Sequence, residues 1–154
     1  MAIFHPGLKL LIMKNIIAAI AISLSFIVAG AQPVKEADVP VIIRTAFAKM
    51  YPGINSAKWN KEDNRYKASF NNDKHKGSVM IDENGKWTMR KAAILVVGLP
   101  LKARVYINKC CRIEKILGIS KIINATGEVQ YETAFKGKKI FFTKEGDLIK
   151  TVIV

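Results

Sequence analysis

Tyr66-Lys67-Ala68-Ser69-Phe70 is answered 65 residues later by Tyr131-Glu132-Thr133-Ala134-Phe135. In both stretches the large apolar side chains stand at alternate positions, the pattern of a strand with one buried face. The correspondence extends outward. Val39-Pro40 opens an apolar helical stretch, and Leu99-Pro100 opens another 60 residues later. Asn84-Gly85 and Glu145-Gly146 break two strand-like runs at nearly the same offset. Two copies of one supersecondary unit, each too small to bury a face alone, predict a single shared core.

The elements of each copy follow from local chemistry. Asp38 is expected to cap a helix with Pro40 just inside it. Val39, Ile42, Ile43, Ala46, Phe47 and Met50 recur at helical spacing, and Tyr51-Pro52-Gly53 stops the run. Strands are expected over 57–62, 65–71, 78–82 and 87–93, with a polar hairpin loop at 72–77 and an Asn84-Gly85 turn that tolerates positive φ. In the second copy Leu99, Ala103, Tyr106, Ile107 and Cys110 form the helical stripe. Strands are expected there over 116–123, 129–136, 138–143 and 148–154. The predicted fold class is α+β: a tandem duplication of one helix plus four antiparallel strands. Both helices would pack on one face of a shared sheet of about eight strands.

Residues 1–31 read as a signal peptide. Lys9 and Lys14 are followed by an apolar run over 16–28, and Ala29-Gly30-Ala31 predicts a cut after Ala31. The run of about 13 residues is short of the roughly 20 a membrane span needs; an uncleaved anchor is the alternative. Met13 is a candidate true start. Residues 32–38 read as a linker, and 39–154 as one domain of two repeats, 39–95 and 99–154. The expected location is periplasmic or secreted, with no stable membrane span after cleavage.

The chain carries a net charge of +13, and the first 31 residues hold two lysines and no acid, leaving +11 on the rest. That charge is evenly spread, which argues against a nucleic-acid tail. Cys110 and Cys111 are adjacent, about 3.8 Å apart at Cα, below the disulfide range of roughly 4.4–6.8 Å. One thiol is expected to be a small buried hydrophobe; an intermolecular disulfide through Cys110 or Cys111 is the sharper alternative.

The phrase "VPVIIRTAFAKMYPG…AKWNKEDNRYKASF…GSVMIDENGKW" resembles the PepSY-like, beta-lactamase-inhibitor-protein-like domains of exported Bacteroidetes-type proteins. Val39, Pro40, Ala46, Phe47, Tyr51, Pro52, Trp59, Tyr66, Phe70, Gly85 and Trp87 stand at the matching positions. The chain departs from that pattern where Met89-Arg90-Lys91 follows the turn and where Cys110-Cys111-Arg112 replaces the second Tyr-Pro stop. The resemblance implies a helix-on-sheet repeat, an envelope or surface location, no catalytic residues, and binding to, or restraint of, another protein.

The residues themselves offer little chemistry. His75 is the sole histidine after residue 31, and no ligand spacing suits zinc. No nucleophile motif accompanies it. Glu62-Asp63 and Asp82-Glu83 are explained as turn carboxylates. Asn124-Ala125-Thr126 matches a sequon but reads as a turn, and Lys136, Lys138 and Lys139 as a charged hairpin. No enzyme activity, metal or cofactor is expected. The expected function is a binding module that contacts an envelope protein or peptide through the open sheet face. Trp59, Trp87, Lys58, Lys86 and Arg90 are the candidate anchors, because they pair aromatics with cations. The alternative is a binder of small or polymeric anionic ligands through the basic surface, with no nucleic-acid partner.

Overall fold

Pro40 and Pro100 each occupy the N-cap of a ten-residue helix, α1 (Val41–Met50) and α2 (Leu101–Cys110). The computed structural model describes residues 31–72 and 75–154. The expected signal peptide, apart from Ala31, lies outside them, as do Asp73 and Lys74 of the expected hairpin loop. The Pro40 carbonyl accepts from the N–H groups of Ile43 and Arg44, and the Pro100 carbonyl from that of Arg104. Asp38 is not the cap; it lies in a 3-10 turn, Glu36–Asp38, ahead of extended Val39. Proline disfavours helical backbone in the residue before it, so the helix starts at the proline itself.

The strands are β1 (Gln32–Val34), β2 (Lys58–Glu62), β3 (Arg65–Asn71), β4 (Lys76–Asp82), β5 (Trp87–Ala93), β6 (Gly118–Asn124), β7 (Val129–Phe135), β8 (Lys138–Thr143) and β9 (Leu148–Ile153). They form one nine-stranded antiparallel sheet in sequence order. α1 and β2–β5 are followed by α2 and β6–β9, the same order twice. The expected linker is not all linker: Gln32, Pro33 and Val34 pair with Lys61, Asn60 and Trp59 and add an edge strand.

The core is two apolar clusters, one under each helix, rather than the single shared core expected. Ile43 and Phe47 of α1 meet Trp59, Tyr66, Phe70, Val79 and Ile81. Ala103 and Ile107 of α2 meet Cys111, Ile119, Phe135, Ile140 and Phe142. The register places both on one side. Phe70 faces Gly77, Gly77 faces Ala92, Ala92 faces Lys121, and Lys121 faces Tyr131, which packs on the second cluster. Facing partners share a face in an antiparallel sheet.

The positions correspond closely. Cys111 caps α2 with φ −133° and donates its N–H to the Ile107 carbonyl, as Tyr51 caps α1 with φ −135° and donates to Phe47. Cys111 therefore takes the place of the aromatic stop and is buried. Thr133 stands where the first half has Ala68; both are 0% exposed. The Thr133 hydroxyl has no partner. Thr133→Val keeps the shape and removes an unsatisfied donor, so it should raise stability by about 1 kcal/mol in urea unfolding.

Candidate binding faces

The five candidate anchors do not form one surface on the open sheet face. β2 runs Lys58-Trp59, and successive strand residues point to opposite sides. Lys58 faces Ser69 on the helix-free side, whereas Trp59 faces Ala68 in the core. Trp59 is 3% exposed and meets Phe47 edge-on at 5.3 Å between ring centroids. Trp87 shares parity with Met89 and Lys91, which lie on the helix-free side. A register shift between Met80 and Ile81 pairs Ile81 with Trp87, carrying the indole to the helix side.

Three of the anchors do gather there. The Arg90 guanidinium lies 4.3 Å from the Trp87 ring centroid, and its Nη2 is 3.3 Å from the Met50 Sδ. Arg90 Nε is buried without a partner. Burial raises the Tyr51 pKa, and the nearby Arg90 charge partly offsets that. Lys86 and Trp87 join Ala46, Lys49, Met50, Gly85 and Ala125 around an open hollow of about 450 Å³. Its ionisable lining residues are lysines.

The helix-free face carries a different set. Ser69, Ser78, Lys91, Ile122 and Gln130 are successive cross-strand partners across it. Met89, Ile122 and Phe141 supply its accessible apolar surface, whereas Met80 shares their parity but is buried; Lys58, Lys67, Lys139 and Lys150 lie around them. Near the middle, Lys91 Nζ donates to Glu132 Oε1 at 2.7 Å, with the Glu132 side chain 9% exposed. Sequence reasoning does not reach two features of this face, the ion pair and the apolar row. Period-two counting across β4–β9 marks their parity, but cross-strand register alone joins them.

Breaking the pair one-sidedly should cost more than removing it. Lys91→Met leaves a buried carboxylate uncompensated and should lower stability by about 2–3 kcal/mol. The double variant Lys91→Met/Glu132→Met should recover most of that in the same urea titration.

The cysteines and histidine are placed plainly. Cys110 is exposed and Cys111 buried, both as free thiols. The Cys110 thiol is pushed up to about 11, first by desolvation and then by the adjacent Cys111. Thiolate is the reactive form, and the higher nucleophilicity of a more basic thiolate offsets part of its scarcity, so alkylation of Cys110 by iodoacetamide near pH 8 should run about tenfold slower than that of a free cysteine. His75 is exposed, and its backbone N–H donates to Asn72 Oδ1 at 2.6 Å. Among the described residues no three His, Cys, Asp or Glu side chains are grouped to hold a metal ion, and no helix is long and apolar enough to cross a membrane.

Comparison with solved structures settles the fold. A DUF2874 family protein from Bacteroides ovatus superposes with a TM-score of 0.62 at 20% identity, over 75% of this chain and 87% of that one. A BLIP-like protein from Bacteroides fragilis gives 0.56 at 21%, over 73% and 84%. A candidate periplasmic protein from Bacteroides eggerthii gives 0.66 at 15%, over 75% and 88%. This chain shares their fold. The structural likeness agrees with the resemblance carried by the Val39–Trp87 motif. No family model matches the sequence, and no curated protein matches it.

Proposed function

We propose that this protein is an exported, non-catalytic binding module, built from two tandem copies of a helix-plus-four-strand unit. Its helix-free sheet face docks an acidic segment of an envelope protein. The observation that carries this is the face itself: both helices pack on the opposite side, leaving Met89, Ile122 and Phe141 within a surround of lysines. Apolar contact supplies affinity, and the positive rim supplies steering and selectivity for acidic partners. The signal-peptide pattern and the candidate periplasmic neighbour support export; likeness to a BLIP-like protein supports a role in protein binding. Duplication is supported by the matched bulges at Met80/Ile81 and Phe141/Phe142.

The test is a photo-crosslinking amino acid placed at Ile122 or, as a control, at exposed Ala48 on α1. A discrete adduct from Ile122 alone, lost on Phe141→Asp, supports docking on this face. Equal adducts from both sites, or none from Ile122, would remove the proposal. The hollow with Lys49, Lys86 and Trp87 favours the second reading, a small anionic ligand. Binding there would fall with salt and with Lys86→Ala, leaving the Ile122 adduct intact.

A further inference from the structure

The sheet has two ends, and they differ. β1 is three residues long and contains Pro33, two features that blunt an edge against pairing. β9 reads Leu-Ile-Lys-Thr-Val-Ile, with one charge and no proline. Among the described residues it has a neighbour on one side only.

Its backbone polarity can be assigned. The Val154 N–H donates to the Gly137 carbonyl at 3.0 Å. Lys138, Lys139 and Ile140 face Ile153, Val152 and Thr151 in turn. Hydrogen-bonded and non-hydrogen-bonded pairs alternate in an antiparallel ladder. Val152 and Val154 therefore direct their backbone groups to β8, and Thr151 and Ile153 direct theirs outward. Ile153 is 78% exposed and Val154 67%.

We propose that β9 is a self-association edge, on which two copies of this chain pair antiparallel about a twofold axis at Val152. This goes beyond the docking face and does not depend on it. Thr151 of each copy faces Ile153 of the other, so all four outward N–H and C=O pairs are used, giving four backbone hydrogen bonds. Val152 meets its own counterpart as a close, non-hydrogen-bonded β-branched pair. Lys150 falls opposite Val154, so the two ammonium groups are not juxtaposed. Centring on Thr151 instead would need the outward groups of Ile149, which adjoins the bulge at Phe141/Phe142. The occupant is a second copy because this register satisfies itself without any other sequence. The positive charge of each copy opposes association, so salt should strengthen the dimer by screening. Pairing would join two helix-free faces into one sheet and make the module bivalent.

The test is sedimentation equilibrium of the exported protein at about 0.05 M and about 0.5 M salt. Wild type should show a concentration-dependent dimer that grows with salt. Thr151→Pro removes a donor that β8 does not use. It should weaken dimerisation about tenfold or more with the circular dichroism spectrum unchanged. Val152→Lys places like charges opposite each other and should do the same should the proline variant fold poorly. In Cys110→Ser protein, Val152→Cys should form a covalent dimer in oxidised glutathione, and Lys144→Cys on an exposed turn should not. A monomer at about 0.5 mM in high salt with no Val152→Cys cross-link overturns the proposal. So does a dimer that survives both Thr151→Pro and Val152→Lys.

Discussion

Trp59→Ala is expected to lower stability by about 3–5 kcal/mol, the range for emptying a buried large aromatic site. The ring is 3% exposed, meets Phe47 at 5.3 Å and closes the first cluster from beneath α1. Its loss leaves a void beside Ile43 and Phe70 that a sheet fixed by pairing on both sides of β2 cannot fill by collapse. Urea unfolding followed by far-UV circular dichroism measures the loss directly. Trp87→Ala provides the contrast. That ring is half-buried at the rim of the hollow, so its removal should cost about 1–2 kcal/mol. Equal losses for the two variants would contradict the placement of Trp59 in the core. A useful companion is Trp59→Phe. The indole Nε1 is buried without a partner, so exchanging it for a smaller ring removes an unsatisfied donor and recovers part of the loss.

Gly146→Ala should lower stability by about 2–5 kcal/mol, combining left-handed backbone strain with overpacking. Gly146 has φ +92°, and a Cβ there would stand 2.8 Å from the Pro100 Cβ and 2.9 Å from the Ala103 backbone nitrogen. The β8–β9 turn thus butts against the first turn of α2, and that contact is part of what seats the helix. Lys102 Nζ donates to Asp147 Oδ1 at 2.9 Å across the same junction, but both groups are exposed and add little. Gly85 is the counterpart, with φ +77° and a Cβ position 3.1 Å from the Ile42 side chain. Its contacts are looser, with the Ile42 carbonyl oxygen at 3.3 Å, so Gly85→Ala should cost less. The order of the two melting temperatures checks this; a reversed order would mean that strain, not contact, dominates.

Much of the architecture was readable because its signals are local. Alternation in Tyr66–Phe70 and Tyr131–Phe135 marks the buried face of two strands, and the structure buries Tyr66, Ala68, Phe70, Thr133 and Phe135 there. Pro40 and Pro100 mark where the helices begin and Pro52-Gly53 where α1 stops, although the cap of α1 is Pro40 and not Asp38. Three residues such as 32–34 carry no measurable period, so β1 could not be told from a linker; its strand state comes from pairing with β2.

The candidate site was less readable, and Trp87 shows why. Counting by twos from Lys91 and Met89 puts it on the helix-free face. One register shift opposite Met80 and Ile81 reverses that assignment. A bulge is a property of two strands together, because it places two residues of one opposite one of the other. Trp59 raises the same issue from the other direction: its flanking lysines look like a binding patch, yet Lys58 and the ring point to opposite sides of the sheet.

The sequence alone determined the periodicities, the turn positions and the doubled order of elements, since each depends on residues a few positions apart. The tertiary structure decided which face each side chain takes past a bulge, that Lys91 reaches Glu132 41 residues away, and that β9, among the described residues, pairs on one side only. Those outcomes depend on cross-strand register, whose free energy comes from contacts between segments distant along the chain.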